Sequence, residues 1–379
     1  MSSDSGLRII LCAPGFPVSP DDADKPFLLD HANALSEAGI QVTVVCPAVP
    51  GAPSQQMIQQ IEIIRVRYAP RRFETLASTG SMYRAARSWK GIWALPMIIS
   101  MILTTVRQVR LRSAIVYGHW WLPGGLVAVV AAKLTRQPSL VHFHGSDAAI
   151  TQNAGLRFLA RTVARLADVR LAVSDSLAAW VGDLSRTPVK TMPMPVSLAV
   201  EGQLSEAPDD GYILAVGRLV PEKGFDVLID AVALLTETQR REIAIVGVGP
   251  QRQTLAERAR RAGVTLHLPG AVPHGELADW YRNARVVVVP SRREGFGLVA
   301  AEAAAMGRTV IGTRVGGIPT VVNDGVSGVL IETDDVEGLK DALSKADPNM
   351  GAFGPALVTQ LGVEHHGKRL RQICEDLLN

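Results

Sequence analysis

In the C-terminal half of this 379-residue sequence, two cations, two carboxylates and several glycines are spaced as an anion and sugar site would need. Gly217-Arg218-Leu219-Val220-Pro221-Glu222-Lys223-Gly224 lies between a strand-like run, ILAV, and an amphipathic helical run, FDVLIDAVALL. Arg218 and Lys223 then share one strand-to-helix loop beside a helix N-terminus, whose free N–H groups attract anions. A diphosphate suits that loop, because fixed cations stabilise charge that builds on a departing phosphate. Taken alone, the same loop could be a solvated basic turn. Glu294-Gly295-Phe296-Gly297-Leu298-Val299 follows a second strand-like run, VVVVPS, and Glu302 stands eight residues beyond Glu294 on a helical run. Gly295 and Gly297 permit positive φ and bare amides, and carboxylates accept hydrogen bonds from vicinal sugar hydroxyls. The plainer alternative is a pair of exposed acids favoured by a helix dipole. Gly312-Thr313-Arg314-Val315-Gly316-Gly317-Ile318-Pro319 is a third such loop, whose paired glycines are expected to let the backbone pass near a ligand. Gly247-Val248-Gly249-Pro250 is only half of a dinucleotide fingerprint, with Pro250 expected at the first helical position.

The N-terminal half offers His142-Phe143-His144-Gly145-Ser146-Asp147 at the end of a strand-like run and His119 in YGHWWLPGG. A lone histidine after a strand is more often a packed or capping residue than a ligand contact.

The order GRLxxEKG, PSxxEGFGLVxxEAxAxG and GGIPxVVxDGxxG, from Ile213 to about Ile331, resembles the family 4 retaining glycosyltransferases of the GT-B fold. That resemblance implies a nucleotide diphosphate sugar as donor, with UDP or GDP favoured over ADP. It implies that Arg218 and Lys223 hold the diphosphate and Glu294 faces the sugar. Gly295 and the amides of Phe296, Gly297 and Leu298 would bind sugar and phosphate oxygens. Glu302 would hold the ribose, and Val272, in LPGAVP, would contact the base. The turn around His144 resembles the family's HxHGxD, which implies that His144 reaches the donor sugar; Asp147, His119 and Lys25 fall on the acceptor side, with His119 kept as a structural residue. The expected reaction moves a hexose-type sugar to a hydroxyl of a glycan, glycolipid or natural product, with no metal and no cofactor beyond the donor. A sugar-nucleotide epimerase and a non-catalytic, membrane-associated sugar-nucleotide binding protein are the alternatives. The sequence departs from the family where many members carry Gly-Gly: residues 15–26 instead contain Asp21, Asp22 and Asp24, which would repel a diphosphate unless they point away.

Elements able to position these residues are legible as short apolar runs alternating with helical patterns, the pattern of βαβ units around parallel sheets. Six strand candidates precede a proline-rich break, Thr187 to Asp210, and six follow it. The expected architecture is α/β: two Rossmann-like doubly wound domains, 1–195 for the acceptor and 196–354 for the donor, facing a central cleft. A C-terminal helical segment, 355–379, is expected to pack on the first domain. At 47% apolar and 20% charged residues with a net charge of +3, the composition is globular and names no partner. Three scattered cysteines fit a reducing compartment better than a disulfide or metal framework.

A local charge is more telling. Arg65, Arg67, Arg71, Arg72, Arg84, Arg87, Lys90, Arg107, Arg110 and Arg112 face a single acid, Glu74, giving residues 65–112 a net charge of +9 around an apolar run near Ile92–Val106. Such a segment suits an anionic membrane surface; a packed helix with solvated arginines is the alternative. The expected location is cytoplasmic or peripheral on the inner face of the membrane, without a signal peptide and without nucleic acid as partner.

Overall fold

The computed structural model describes residues 6–22, 25–77, 88–151, 153–197 and 206–379. The chain divides into two compact units, Met1–Pro195 with Val363–Asn379, and Val196–Gly362.

In the first unit, β1 (Arg8–Cys12), β2 (Gln41–Pro47), β3 (Gln55–Ile58), β4 (Ile61–Val66), β5 (Ile115–His119), β6 (Ser139–Phe143), β7 (Val169–Ala172) and β8 (Lys190–Thr191) form one sheet. Its order is β3-β4-β2-β1-β5-β6-β7-β8, parallel throughout except for the β3–β4 pair. The central strands are apolar on both faces, as burial beneath two helical layers demands; β5 and β6 are buried along their whole lengths. The edge strands β3 and β8 are absent from the sequence expectation. QQMI carries no apolar alternation, and β8 falls inside the proline-rich break. Cys12, Cys46 and Cys374 are free, buried thiols, each pushed up to about 12 by burial.

The C-terminal helix Val363–Leu378 belongs to this unit and packs on helix Pro26–Glu37. Gly367 makes the close approach feasible: a Cβ there would stand 2.1 Å from the Ala34 carbonyl oxygen. Arg371 Nη1 adds a 2.6 Å hydrogen bond to the Ala38 carbonyl.

Helix Ala94–Leu111 is continuous with a 3-10 turn, Trp89–Trp93. Pro96 sits in the first turn, where its missing N–H interrupts no hydrogen bond. Met97, Met101, Thr105 and Val109, spaced by four, are buried under it. The opposite face is also apolar, with Leu95 and Leu103 each 65% exposed and Ile92 71% exposed. Arg65, one of the ten cations, is instead buried and donates from Nη2 to the Pro17 carbonyl at 2.7 Å. Arg67 is paired with Glu74. Arg84 and Arg87 lie outside the described residues.

In the second unit, β9 (Tyr212–Val216), β10 (Ile243–Val246), β11 (Leu266–Gly270), β12 (Ala284–Val289), β13 (Val310–Thr313) and β14 (Gly328–Ile331) make a parallel sheet in the order β11-β10-β9-β12-β13-β14. A core of Leu214, Phe225, Leu228, Ile245, Val288, Ile311 and Leu339 fills it. Pro250 precedes the N-cap Gln251 of helix Arg252–Ala262, outside the first helical turn expected for it. Gly362, in an extended conformation, separates the last short turns of this unit from the C-terminal helix, and Val196 forms a parallel bridge with it.

Candidate functional site

Chain direction reverses across the second sheet between β9 and β12, since β9 leads out to β10 and β12 leads the other way to β13. At such a switch point the loops leave the carboxyl ends of neighbouring strands in opposite directions and open a crevice for ligands. Arg218 and Lys223 follow β9, and Glu294 follows β12. Lys223 Nζ lies 2.6 Å from Glu294 Oε2, with the two side chains 20% and 15% exposed. Glu294 Oε1 accepts from its neighbour's amide, Gly295 N, at 3.1 Å, and Oε2 from Ser291 Oγ at 3.3 Å. Burial alone would raise the Glu294 carboxyl, but the charge and hydrogen bond of Lys223, with the two other donors, outweigh it and hold the group ionised below its usual range. Arg218 is exposed on the same loop.

Glycines shape this crevice by letting backbones touch. Gly224 adopts φ 65°, and a Cβ there would come within 2.0 Å of the Pro290 carbonyl oxygen, so the Lys223 turn can lie on the end of β12 only with glycine. Gly316 and Gly317 bring the third loop against the Glu294 turn. Added Cβ atoms would stand 2.1 Å from Glu294 O and 2.3 Å from Phe296 O, so the third loop supports the Glu294 turn from behind. Of the pair Gly295 and Gly297, Gly297 alone has positive φ, 90°, where it caps helix Leu298–Ala305.

Glu302 points from that helix into the interior, 5% exposed, and accepts from the buried Tyr281 hydroxyl at 2.7 Å. Phe296 is buried, Leu298 half-buried, and Val272 half-buried in the loop after the edge strand β11. Arg292, which the sequence reading missed, clamps the two loops. Its guanidinium takes Asp226 in a bidentate pair at 2.9 and 2.7 Å and donates to Pro221 O at 2.6 Å. Only its neighbour Glu294 carries a motif signal, so nothing in the sequence separates Arg292 from Arg293.

The switch point of the first sheet lies between β1 and β5. Trp120, directly after β5, has φ 59°, an uncommon conformation for a bulky residue, and its ring stacks on His144 at 4.1 Å. His144 follows β6, 6% exposed, and begins helix Gly145–Ile150 as its N-cap. The amide of Asp147 donates to the His144 carbonyl at 2.9 Å, and Asp147 Oδ2 accepts from His144 N at 2.8 Å. Asp147 is fully buried, a turn-shaping position, and burial pushes its carboxyl well up. His119, also fully buried, lies 3.0 Å from His144. His142 on the same face of β6 bonds to the Tyr117 hydroxyl at 2.8 Å and the Met192 carbonyl at 2.7 Å. His119, His142 and His144 are close enough together to suggest a metal site, but hydrogen bonds already engage both ring nitrogens of His119 and His142 and Nε2 of His144, and account for the clustering.

Lys25 sits apart from the histidines' hydrogen bonds, in the left-handed region at φ 62°, where it precedes helix Pro26–Glu37. Asp22 turns into its own loop, its Oδ2 accepting from Val18 N at 2.8 Å. Asp24 lies outside the described residues.

Comparison with known proteins agrees with this architecture. The family described as glycosyl transferases group 1 matches residues 210–346, and the glycosyl transferase 4-like domain matches residues 26–196. D-inositol 3-phosphate glycosyltransferase 1 of Catenulispora acidiphila is 30% identical over 82% of this chain and 78% of its own. A putative teichuronic acid biosynthesis glycosyltransferase of Bacillus subtilis is 26% identical over 89% of each chain. Among solved structures, sucrose-phosphate synthase of Thermosynechococcus elongatus aligns with a TM-score of 0.78 at 21% identity, over 98% of this chain and 99% of that one. Anabaena HepE in complex with UDP-glucose aligns with a TM-score of 0.74 at 16% identity, over 98% and 100%. The chain belongs to glycosyltransferase family 4 and has the GT-B fold.

Proposed function

We propose that the chain transfers a hexose-type sugar from a UDP- or GDP-sugar to an acceptor hydroxyl with retention at the anomeric carbon. The observation that carries this reading is the Lys223–Glu294 pair at the β9/β12 switch point, with Arg218 on the same loop. Lys223 and Arg218 neutralise the departing diphosphate, a task that fixed cations perform without a metal. Glu294, kept ionised, accepts from sugar hydroxyls. The leaving phosphate takes the acceptor proton, so no separate base is required. HepE, solved with UDP and with UDP-glucose, supports a uridine donor.

A panel of nucleoside diphosphates and nucleotide sugars tests this by thermal stabilisation. The true donor at about 100 times its Kd adds about 2.7 kcal/mol to the native state. We expect a shift with one base, lost in Arg218→Ala/Lys223→Ala; no shift with any member would overturn the donor site. Transfer that EDTA abolishes and magnesium restores would overturn the role given to the cations.

The acceptor is a glycan, glycolipid or natural product. A lipid-linked acceptor on the cytoplasmic face of an anionic membrane is favoured by the outward stripe Ile92, Leu95, Ile99 and Leu103, all exposed, with Lys90, Arg107 and Arg110 on the same segment. Apolar side chains flanked by cations insert at the headgroup boundary. Leu95→Asp/Leu103→Asp is expected to abolish co-sedimentation with vesicles containing phosphatidylserine at low salt, with unchanged donor-induced stabilisation. Wild-type protein that stays in the supernatant would remove the membrane from the reading.

A further inference from the structure

Four of the eight histidines are joined end to end inside the first unit. Nε2 of His144 lies 3.0 Å from Nδ1 of His119, Nε2 of His119 lies 3.2 Å from Nε2 of His31, and Nδ1 of His31 lies 2.8 Å from Nε2 of His366. A backbone group closes the far end of the row. There the His366 ring is hydrogen-bonded to the backbone of Pro193. Proline has no N–H, so that partner is the carbonyl and the ring donates.

A neutral imidazole has one donor nitrogen and one acceptor nitrogen. A row of neutral rings that must donate at its last member runs in one direction. His144 Nε2–H donates to His119 Nδ1, His119 Nε2–H to His31 Nε2, His31 Nδ1–H to His366 Nε2, and His366 Nδ1–H to the Pro193 carbonyl. Reversing any ring sets two donors or two acceptors face to face in the interior. Burial also favours the neutral form of all four rings, which it pulls below the usual histidine range.

We propose that His119, His31 and His366 are positioning residues that hold His144 as its Nε2–H tautomer, so that His144 Nδ1 is always a hydrogen-bond acceptor and never an acid. The inference rests on the reading that His144 meets the donor sugar. On that reading the group His144 receives is a hydroxyl, which can donate to Nδ1, and a sugar carboxylate there would face a lone pair. The C-terminal helix therefore acts on the chemistry through three intervening rings, although none of its residues needs to touch substrate.

Nitrogen NMR of the full chain labelled at histidine, near pH 7.5, reads the tautomers directly, with single variants giving the assignments. His144 and His119 should show an unprotonated Nδ1 and a protonated Nε2, and His31 and His366 the opposite. His366→Gln, whose carbonyl can accept from His31 Nδ1–H, should keep the pattern in the other rings and keep kcat. His366→Leu removes the acceptor, so His144 should show a mixture of tautomers. Its kcat should fall about tenfold, the factor carried by about 1.4 kcal/mol for one lost buried hydrogen bond. Finding all four rings in the Nε2–H form, or equal effects of Gln and Leu on kcat, would overturn the relay. If the tautomer pattern holds but His144→Ala leaves kcat and donor KM unchanged, the relay is structural only, and it is the assignment of His144 to the sugar that fails.

Discussion

Lys223→Ala is expected to lower kcat/KM by about a hundred- to a thousandfold, the range found when one preorganised charge-stabilising group is removed. It should also destabilise the second unit by about 1–3 kcal/mol, less than for a fully buried pair because both side chains retain some exposure. The two effects have different origins and can be separated. Lys223 is the principal partner that keeps the buried Glu294 carboxyl ionised. Without it, burial raises the carboxyl, and KM for the donor should acquire an acid limb at a higher pH than in the wild type. Lys223→Ala/Glu294→Gln replaces the stranded carboxylate by a neutral amide. The double variant should recover most of the lost stability and little of the lost activity. Recovery of both together would reduce Lys223 to a structural counter-ion for Glu294.

Acid should unfold the first unit steeply. His31, His119, His142, His144 and His366 are all buried, and all are pulled down, His142 to about 4 and His366 to about 3. Burial is the largest cause in each, and the mutual repulsion of protonated rings adds to it in most. Tyr117, Asp147, Cys374 and Arg369 are the other titratable groups around the cluster, and none of them supplies an ionised acid close enough to favour an imidazolium. In the unfolded chain these histidines titrate near pH 6.5. The unfolded state therefore binds more protons below that pH, and stability is complete above it and falls as pH drops toward the depressed native values. Each ring contributes about 1.4 kcal/mol per pH unit, so five give a limiting slope of about 7 kcal/mol per unit, from which the raised Asp147 carboxyl, protonated in the native state, takes about 1.4; the remainder is still comparable with the whole stability of a domain. Calorimetry between pH 7.5 and 5 should show one transition falling sharply while the other, from the unit with no buried histidine among its described residues, moves little. Parallel movement of both transitions would contradict this assignment of the protons.

The placement of the second unit's candidate residues was largely legible in the sequence because its motifs are local. Each loop carries its own signature between a strand and a helix, and the switch point simply sets the Lys223 and Glu294 loops side by side. What the glycines of the third loop approach was not legible. Their need for space is plain from Gly316-Gly317, but only the fold shows that the Glu294 turn occupies that space. The histidine row was hidden for a stronger reason. His31 and His366 are 335 positions apart on helices whose periodicity reads as ordinary amphipathic packing, and they meet because Gly367 lets one backbone lie against Ala34. Two alternate positions on β5, Tyr117 and His119, beside His142 on β6 and His144 just after it, were the available hint. Parallel register sets His119 opposite His142.

The bridge between Val196 and Gly362 has a topological consequence. The second unit is one uninterrupted stretch of chain whose two ends are neighbours, about one strand spacing of ~5 Å apart, while the first unit is assembled from both ends of the polypeptide. The second unit is thus an insert within its host, bounded by joints at Pro195–Val196 and Gly362–Val363. It can be exchanged for that of a relative as a cassette without disturbing the C-terminal helix, provided that both joints are cut together. Moving the joint into the helix would carry His366 away with the graft and leave the host without the last ring of its row.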